Sequence, residues 1–194
     1  MLQKRHFRLT AVLLAAALCV QSAVAIPVGG VQEAQYSGTF QIGAGSATVD
    51  SKVYSYESGE YVYAYQISNS SSVGISFLSV SIIPDTDAFA AAWDIGSSIV
   101  QPAYWNAVGS PVQSVEGLFA DTIDNDGLSS AVLWFKSGHS SALGTAVLFG
   151  VSAGVPYSAS GNVLTPSAAP EPATILLLGI GSALLTVTRR RRAV

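Results

Sequence analysis

The sequence predicts an all-β body, and two observations lead to that prediction. Several short runs are rich in β-forming residues or alternate with period two, which places successive side chains on opposite faces of a strand. Clusters of Gly, Ser, Asn, Asp and Pro separate these runs at intervals typical of antiparallel folds rather than of βαβ units. We therefore expect an antiparallel β-sandwich over residues 26–166, of the jelly-roll or immunoglobulin-like kind.

The predicted strands follow one another along the chain. They are the runs at 36–42, 47–57, 60–68, 74–82, 131–136 and 144–152. In the third run, Tyr61, Tyr63 and Tyr65 share one face of the strand, and the residues between them share the other. The interval 88–114 has no clear period, and we expect a short helix over 88–93 followed by a long loop.

Residues 1–25 have the three parts of a secretory signal peptide. A basic start precedes an apolar stretch of about a dozen residues, which we expect to form a helix, and Ala23 and Ala25 supply the small residues of a cleavage site. Signal peptidase is expected to cut after Ala25. The single cysteine, Cys19, leaves with this segment, so the mature chain can hold neither a disulfide nor a thiolate metal site.

The net charge of the body indicates which classes of partner it can bind. Between residues 26 and 171, two lysines stand against all twelve acidic residues, a formal excess of ten negative charges. Binding to nucleic acid needs clustered Lys and Arg that neutralise phosphates. The sequence therefore argues against a nucleic-acid partner.

No complete catalytic arrangement stands out, and we expect a protein that is not an enzyme. The run 137–144 approaches the G-x-S-x-G pattern of serine hydrolases, but Ala142 replaces its last glycine. His139 is the only histidine of the mature chain and lies inside the run itself, so no separate general base is available. A hairpin turn is the interpretation we adopt. Four acidic residues could supply a pair for glycoside hydrolysis, but their spacing selects no two of them: Asp85, Asp87, Asp94 and Glu116.

The run 121–127 resembles part of a calcium-binding loop. Asp121, Asp124 and Asp126 could bind Ca²⁺, although half of the ligands of a complete loop are missing. The alternative is a turn held by side-chain to backbone hydrogen bonds. No other cofactor is expected.

Aromatic residues suggest a second kind of site. Tyr61, Tyr63, Tyr65, Trp93 and Trp105 could form a platform that stacks against sugar rings. Tyrosines at alternating positions are equally typical of cross-strand packing in a half-buried sheet. Burial between two sheets would exclude the platform.

The segment 167–194 combines three features. Pro170 and Pro172 flank Glu171 and hold the chain extended, and sixteen uncharged residues follow at 173–188. As a helix they span about 24 Å, just enough to cross a membrane once with help from their flanks. The four arginines after them, Arg189, Arg190, Arg191 and Arg192, favour a cytoplasmic end and leave the body on the other side.

These three features in this order resemble the PEP-CTERM sorting signal of exported bacterial proteins. The resemblance covers about residues 169–192. It implies that an exosortase-type membrane enzyme recognises the Pro-Glu-Pro triplet and removes the tail. The protein would then pass from an inner-membrane intermediate to the cell surface or the medium, generally in bacteria that make exopolysaccharide.

Our first hypothesis is thus a non-enzymatic exported protein of the cell surface or extracellular matrix, associated with exopolysaccharide or biofilm. The first alternative is a carbohydrate-binding module that uses the tyrosines and tryptophans named above. The second alternative is a glycan-active enzyme, which requires two carboxylates within about 10 Å in one cleft.

Overall fold

The computed structural model describes residues 27, 29–83, 86–94, 99–126 and 129–167. Within them the chain forms twelve strands. Their bounds are β1 Val31–Gln41, β2 Ser46–Ser55, β3 Tyr61–Asn69, β4 Gly74–Ser81, β5 Phe89–Trp93, β6 Ile99–Val100, β7 Pro102–Val108, β8 Ser114–Ile123, β9 Ser129–Ser130, β10 Leu133–Ser137, β11 Ser141–Ser152 and β12 Val155–Pro166.

The strands form two sheets that pack against each other. The larger sheet has the order β1-β2-β3-β10-β5, with β9 attached beside β3 and β6 beside β9. The smaller sheet has the order β12-β11-β4-β8-β7. Neighbouring strands run antiparallel except for the short pair β6 and β9. The antiparallel β-sandwich predicted from the sequence is confirmed.

The main core lies between the two sheets and follows from period-two alternation. In β2, half-buried and buried residues alternate from Ser46 to Tyr54. Residues such as Val49 and Ile67 of the larger sheet meet Ile75, Leu78 and Leu148 of the smaller one in a single buried cluster. Burying these apolar side chains supplies the main driving force for folding.

A second, smaller apolar cluster lies on the outer face of the larger sheet. It consists of Val62, Ala64, Ala92 and Trp134, with Tyr54 among the half-buried side chains around it. Residues 62 to 65 of β3 are consequently all buried, although they alternate between the two faces. Such burial on both faces is typical of a central strand.

The helix predicted over 88–93 is wrong, because residues 89–93 form β5. This strand pairs with β10, where Trp93 lies opposite Leu133. Ala90 has a φ of 50°, and the register shifts nearby between Trp134 and Lys136. The alanine-rich composition favours a helix locally, but pairing with an apolar strand outweighs that preference.

Besides β5, five strands were absent from the sequence prediction: β6, β7, β8, β9 and β12. The expected long loop after residue 93 contains β6 and β7, and β8 begins at its end. The last strand, β12, is rich in small polar residues and exposed over most of its first half. It pairs with β11 along its entire length, from Ser141–Pro166 to Ser152–Val155.

Candidate functional site

The strand register brings both ends of the described chain to one end of the sandwich. Val31, the first residue of β1, lies in the same cross-strand row as Ser137, the last residue of β10. A three-residue turn leads from Ser137 to Ser141, which pairs with Pro166 at the end of β12. We call the part of the surface around these four residues the terminal end. The turns at 42–45, 70–73 and 153–154 lie at the opposite, distal end.

The final strand is fixed to the sandwich up to its last residues. The backbone N–H of Leu164 donates to Ser51 Oγ at 3.1 Å, and this hydroxyl donates to the carbonyl oxygen of Tyr36 at 2.9 Å. Beyond the strand, the backbone N–H of Ser167 donates to the carbonyl oxygen of Ser140 at 2.8 Å. The chain is therefore held in place as far as residue 167.

The start of the described chain is fixed at the same end. The hydroxyl of Tyr56 donates a hydrogen bond to the carbonyl oxygen of Pro27. Tyr56 opens the turn between β2 and β3, which Lys136 and Glu60 reinforce with an ion pair of 2.8 Å. Residues 27 and 167, where the described chain begins and ends, thus lie at the same end of the sandwich.

A polar cluster surrounds the turn between β10 and β11. Asp87 Oδ1 accepts hydrogen bonds from Ser137 Oγ at 2.8 Å and from the backbone N–H of Gly138 at 2.9 Å. The Nε2 of His139 lies 3.8 Å from the same oxygen. Burial alone would raise the pKa of Asp87, but these hydrogen bonds and His139 outweigh it and hold the pKa below its usual value.

This cluster stabilises a turn and lacks the arrangement of a hydrolase. The Ser137 hydroxyl donates to the Asp87 carboxylate, and Ser140, which occupies the nucleophile position of the pattern, is exposed and donates to no imidazole among the described residues. Ser137 Oγ also accepts from the backbone N–H of His139 at 3.2 Å. The predicted hairpin turn is wrong, because β10 and β11 belong to different sheets and the turn between them passes from the larger sheet to the smaller one.

The structure places the predicted aromatic platform inside the protein. Tyr63, Tyr65 and Trp105 are at most 1% exposed. Tyr63 and Tyr65 stack against Phe135 with ring centroids 5.2 and 5.9 Å apart. The prediction that these three side chains contact sugar rings is wrong, because both tyrosines lie on the side of β3 that faces the smaller sheet, and Trp105 of β7 is buried in the same core.

The two other members of that platform are half-buried and pack against the main core: Tyr61 and Trp93. The polar atoms of the buried aromatic side chains form hydrogen bonds to backbone carbonyl oxygens inside the protein. Trp105 Nε1 donates to the backbone carbonyl oxygen of Trp134 at 2.9 Å. The hydroxyl of Tyr63 donates to the backbone carbonyl oxygen of His139 at 2.8 Å. Burial raises the pKa of both Tyr63 and Tyr65 above the usual value.

The proposed calcium ligands do not assemble. Asp121, Asp124 and Asp126 are all exposed, and no group of three potential metal ligands occurs in the described parts of the chain. Asp124 Oδ1 instead accepts a 2.9 Å hydrogen bond from Thr122 Oγ1. The structure contradicts the calcium prediction. It does not show the alternative turn held by side-chain to backbone hydrogen bonds, because this bond joins two side chains and residues 121–123 belong to β8.

The acidic residues considered for glycoside hydrolysis have separate surroundings. Asp87 belongs to the cluster at the terminal end, whereas Glu116 accepts a 2.9 Å hydrogen bond from Ser114 Oγ on β8. Asp94 follows β5, and its backbone N–H donates to the carbonyl oxygen of Val132 at 3.0 Å. Asp85 lies outside the described residues.

Comparison with known families concerns the segment that follows the terminal end. Residues 168–192 match the family described as the PEP-CTERM protein-sorting motif. This chain carries a PEP-CTERM sorting motif. The motif implies an exported protein that an exosortase sorts and processes, and PEP-CTERM proteins are sorted to the cell surface. No curated protein and no solved structure matches the chain.

The residues of the sorting motif lie outside the described part of the structure: Pro170, Glu171, Pro172 and Arg189 to Arg192. The predicted signal cleavage site at Ala23 and Ala25 does as well. Among the described residues, no helix is long and apolar enough to cross a membrane.

Sequence reasoning missed the polar cluster at the terminal end and the attachment of β12. Asp87 and Ser137 are fifty positions apart, and Ser51 and Leu164 are separated by more than a hundred. No local pattern joins such residues, because each pair meets only after the sheets have formed. The sequence alone did reveal the PEP-CTERM motif, because its features are contiguous in the chain.

Proposed function

We propose that this chain is a non-enzymatic exported protein whose sandwich is delivered to the cell surface or extracellular matrix and associates there with exopolysaccharide. One observation carries the proposal. The sorting motif begins at residue 168, immediately after Ser167, whose backbone N–H is still bonded to the body. The motif is thus attached to a folded β-sandwich without a spacer.

The position of the terminal end supports a membrane-attached precursor. Residues 27 and 167, to which the two targeting segments are joined, lie at one end of the sandwich, so both segments can reach one membrane while the body stays in one compartment. The distal end then points away from the membrane. This orientation exposes the sandwich for contacts with the surrounding matrix before and after the tail is removed.

The chemistry of the body favours a structural or binding role over catalysis. His139 and Ser137 stabilise a turn, and the described carboxylates Asp87 and Glu116 engage neighbouring hydroxyls instead of facing each other. We therefore propose that the protein acts through its surface.

We also propose how the two ends of the chain are processed and placed in the membrane. Signal peptidase cuts after Ala25, and residues 173–188 form the single membrane-spanning helix of the intermediate. Arg189 to Arg192 stay on the cytoplasmic side of the membrane. We further propose that the sandwich is of the jelly-roll or immunoglobulin-like kind.

Intact mass measurements on the cell-surface and medium fractions of the host test processing. We expect a protein that begins at Ile26 and lacks Arg189 to Arg192. A mature form that retains the four arginines would contradict processing and indicate a permanent anchor.

Substitution of the triplet tests its recognition. The double change Pro170→Ala, Pro172→Ala should leave the full-length form in the membrane fraction. Pro156→Ala, in the distal hairpin, is the matched control and should be processed normally. Equal release of the double variant and the control would argue against recognition of the triplet.

Association with exopolysaccharide has its own test. In a host strain unable to make the polymer, the processed protein should move from the surface fraction to the medium. Retention at the surface in that strain would contradict this part of the proposal while leaving the processing result intact.

A further inference from the structure

The outer face of the larger sheet carries a small polar cleft at some distance from the terminal end. It has a volume of about 130 Å³. Residues from three strands and one connecting segment line it: Gln35, Asp50, Lys52, Tyr54, Ala64, Tyr65, Gln66 and Val132. Sites that enclose drug-sized ligands measure roughly 300–1,000 Å³. A cleft of this size suits one small unit, such as a single ring of an open polymer.

Strand register explains why the cleft exists. Lys52 lies opposite Ala64, and Asp50 lies opposite Gln66, so their side chains stand on the same outer face. Ala64 is 3% exposed and is the smallest of these residues, which leaves a depression between its longer neighbours. Tyr54 is half-buried beside it and packs against the apolar cluster formed by Val62 and Trp134. The floor and one wall of the cleft are therefore supported by packed side chains.

The polar groups around the cleft are both donors and acceptors. Ser37 donates a hydrogen bond to Asp50 Oδ1, which orients this carboxylate. Gln66 Nε2 donates to Ser129 Oγ and to the carbonyl oxygen of Ser130, each at 3.2 Å, so the amide oxygen stays available as an acceptor. Gln35 adds a second amide.

The cleft contains Lys52, a lysine whose ammonium group is available to a ligand. Lys136 is engaged by Glu60 at 2.8 Å, whereas Lys52 forms no ion pair within the described residues. Its ammonium group offers three donors on the same face as the Asp50 carboxylate. One positive and one negative charge together leave this part of the surface formally neutral.

We propose that this cleft is a saccharide subsite that binds one neutral pyranose ring of a longer glycan. Sugar hydroxyls both donate and accept hydrogen bonds, which matches the Lys52 ammonium and the Gln35 amide N–H groups as donors, and the Asp50 carboxylate and the Gln66 amide oxygen as acceptors. The ring of Tyr54 offers an apolar wall for the C–H groups of the sugar. A polyanionic glycan fits less well, because the surrounding body carries the excess of negative charge.

This subsite rests on the proposed matrix role, for which it names a ligand class, and its stacking residue is not a member of the excluded aromatic platform. Tyr54 takes the place of Tyr63 and Tyr65 as the stacking residue. The parity of β2 puts Tyr54 on the outer face, whereas the tyrosines of β3 at odd positions face the core.

The test uses the protein purified from its host, in the processed or full-length form that mass measurement identifies, in a detergent without a sugar headgroup. Binding is measured by titration calorimetry against neutral gluco- and galacto-oligosaccharides and against an oligogalacturonate of equal length. We expect saturable binding to a neutral oligosaccharide. No binding to either neutral series, or tighter binding to the uronate, would overturn the proposal.

Variants locate the site. Lys52→Ala and Asp50→Ala should each weaken binding by roughly tenfold, since each removes one charge-assisted hydrogen bond. Ala64→Val fills the floor and should weaken binding without removing a polar group. Asn162→Ala is the matched control, because it alters a separate polar depression where β1 meets β12.

Thermal unfolding of every variant verifies that it is folded. Unchanged affinity in Lys52→Ala and Asp50→Ala, or equal loss in Asn162→Ala, would exclude this cleft. Processing is scored separately by mass, so failure of the subsite and failure of the sorting proposal give different results.

Discussion

The hydroxyl of Tyr65 donates a 2.6 Å hydrogen bond to the backbone carbonyl oxygen of Leu164. Tyr65 lies on β3, in the middle of the larger sheet, and Leu164 lies on β12, four residues before the sorting motif begins. Burial raises the pKa of Tyr65 well above its usual value, and neighbouring Tyr63 adds to the effect. The bond thus connects the core directly to the strand that precedes the tail.

Replacing Tyr65 by phenylalanine tests this connection. The ring and its stacking on Phe135 remain, but the buried carbonyl oxygen of Leu164 loses the hydroxyl. We expect the free energy of unfolding to fall by about 1–2 kcal/mol, measured by urea denaturation. Tyr157→Phe, on the exposed part of β12, is the control and should change stability little. Equal stabilities for the two variants would show that the hydroxyl contributes nothing.

Gly38 allows the edge strands of the two sheets to come close together. A Cβ at this position would lie 2.1 Å from the backbone carbonyl oxygen of Asn162 on β12. Gly38→Ala should therefore lower the free energy of unfolding by roughly 1–3 kcal/mol, because the strands must separate. Gly138→Ala is the control, since its Cβ would meet nothing closer than 3.6 Å. A Gly38 variant as stable as the control would contradict this close approach.

The hairpin between β11 and β12 has an unfavourable residue in its turn. Ala153 and Gly154 both have positive φ, 49° and 78°, as a two-residue type I′ turn requires. Asparagine tolerates this conformation better than alanine. Ala153→Asn should raise the free energy of unfolding by about 0.5–1 kcal/mol, and Ala153→Val should lower it. Calorimetric melting of both variants checks the order, and the reverse order would contradict the turn assignment.

The pKa of Asp87 gives a prediction for acid pH. Because its folded pKa lies below the ordinary value of 3.8, the charged form stabilises the native state above that pH, and the contribution disappears as pH falls through the folded pKa. More than half of the side chain is exposed, so screening keeps the contribution below about 1 kcal/mol. Asp87→Asn should be less stable than the wild type at neutral pH, and the difference should vanish in acid.

Urea denaturation at a series of pH values measures that difference. Asp121→Asn is the control, because Asp121 is exposed and its carboxylate accepts no hydrogen bond from a described side chain. The control should show no comparable pH-dependent difference from the wild type. A difference for Asp87→Asn that persists unchanged below pH 3.8 would show that the charge of Asp87 is not its source.

The sequence by itself determined the β architecture and the sorting motif, because both depend on local order. Period two marks a strand within a few residues, and the features of the motif are contiguous between residues 168 and 192. Alternation also separated the tyrosines of β3 from Val62 and Ala64 correctly. It could not show which face was inner, since the residues on both faces of this central strand are apolar or aromatic.

Only the tertiary structure decided where the surfaces of the protein lie. Pairing of β3 with β2 and β10 turned Tyr63 and Tyr65 towards the smaller sheet and left Asp50 and Lys52 around an outer cleft. Sheet pairing and the packing of the two sheets bring such residues together. The free energy of this packing depends on contacts between distant parts of the chain, which no local period or motif encodes.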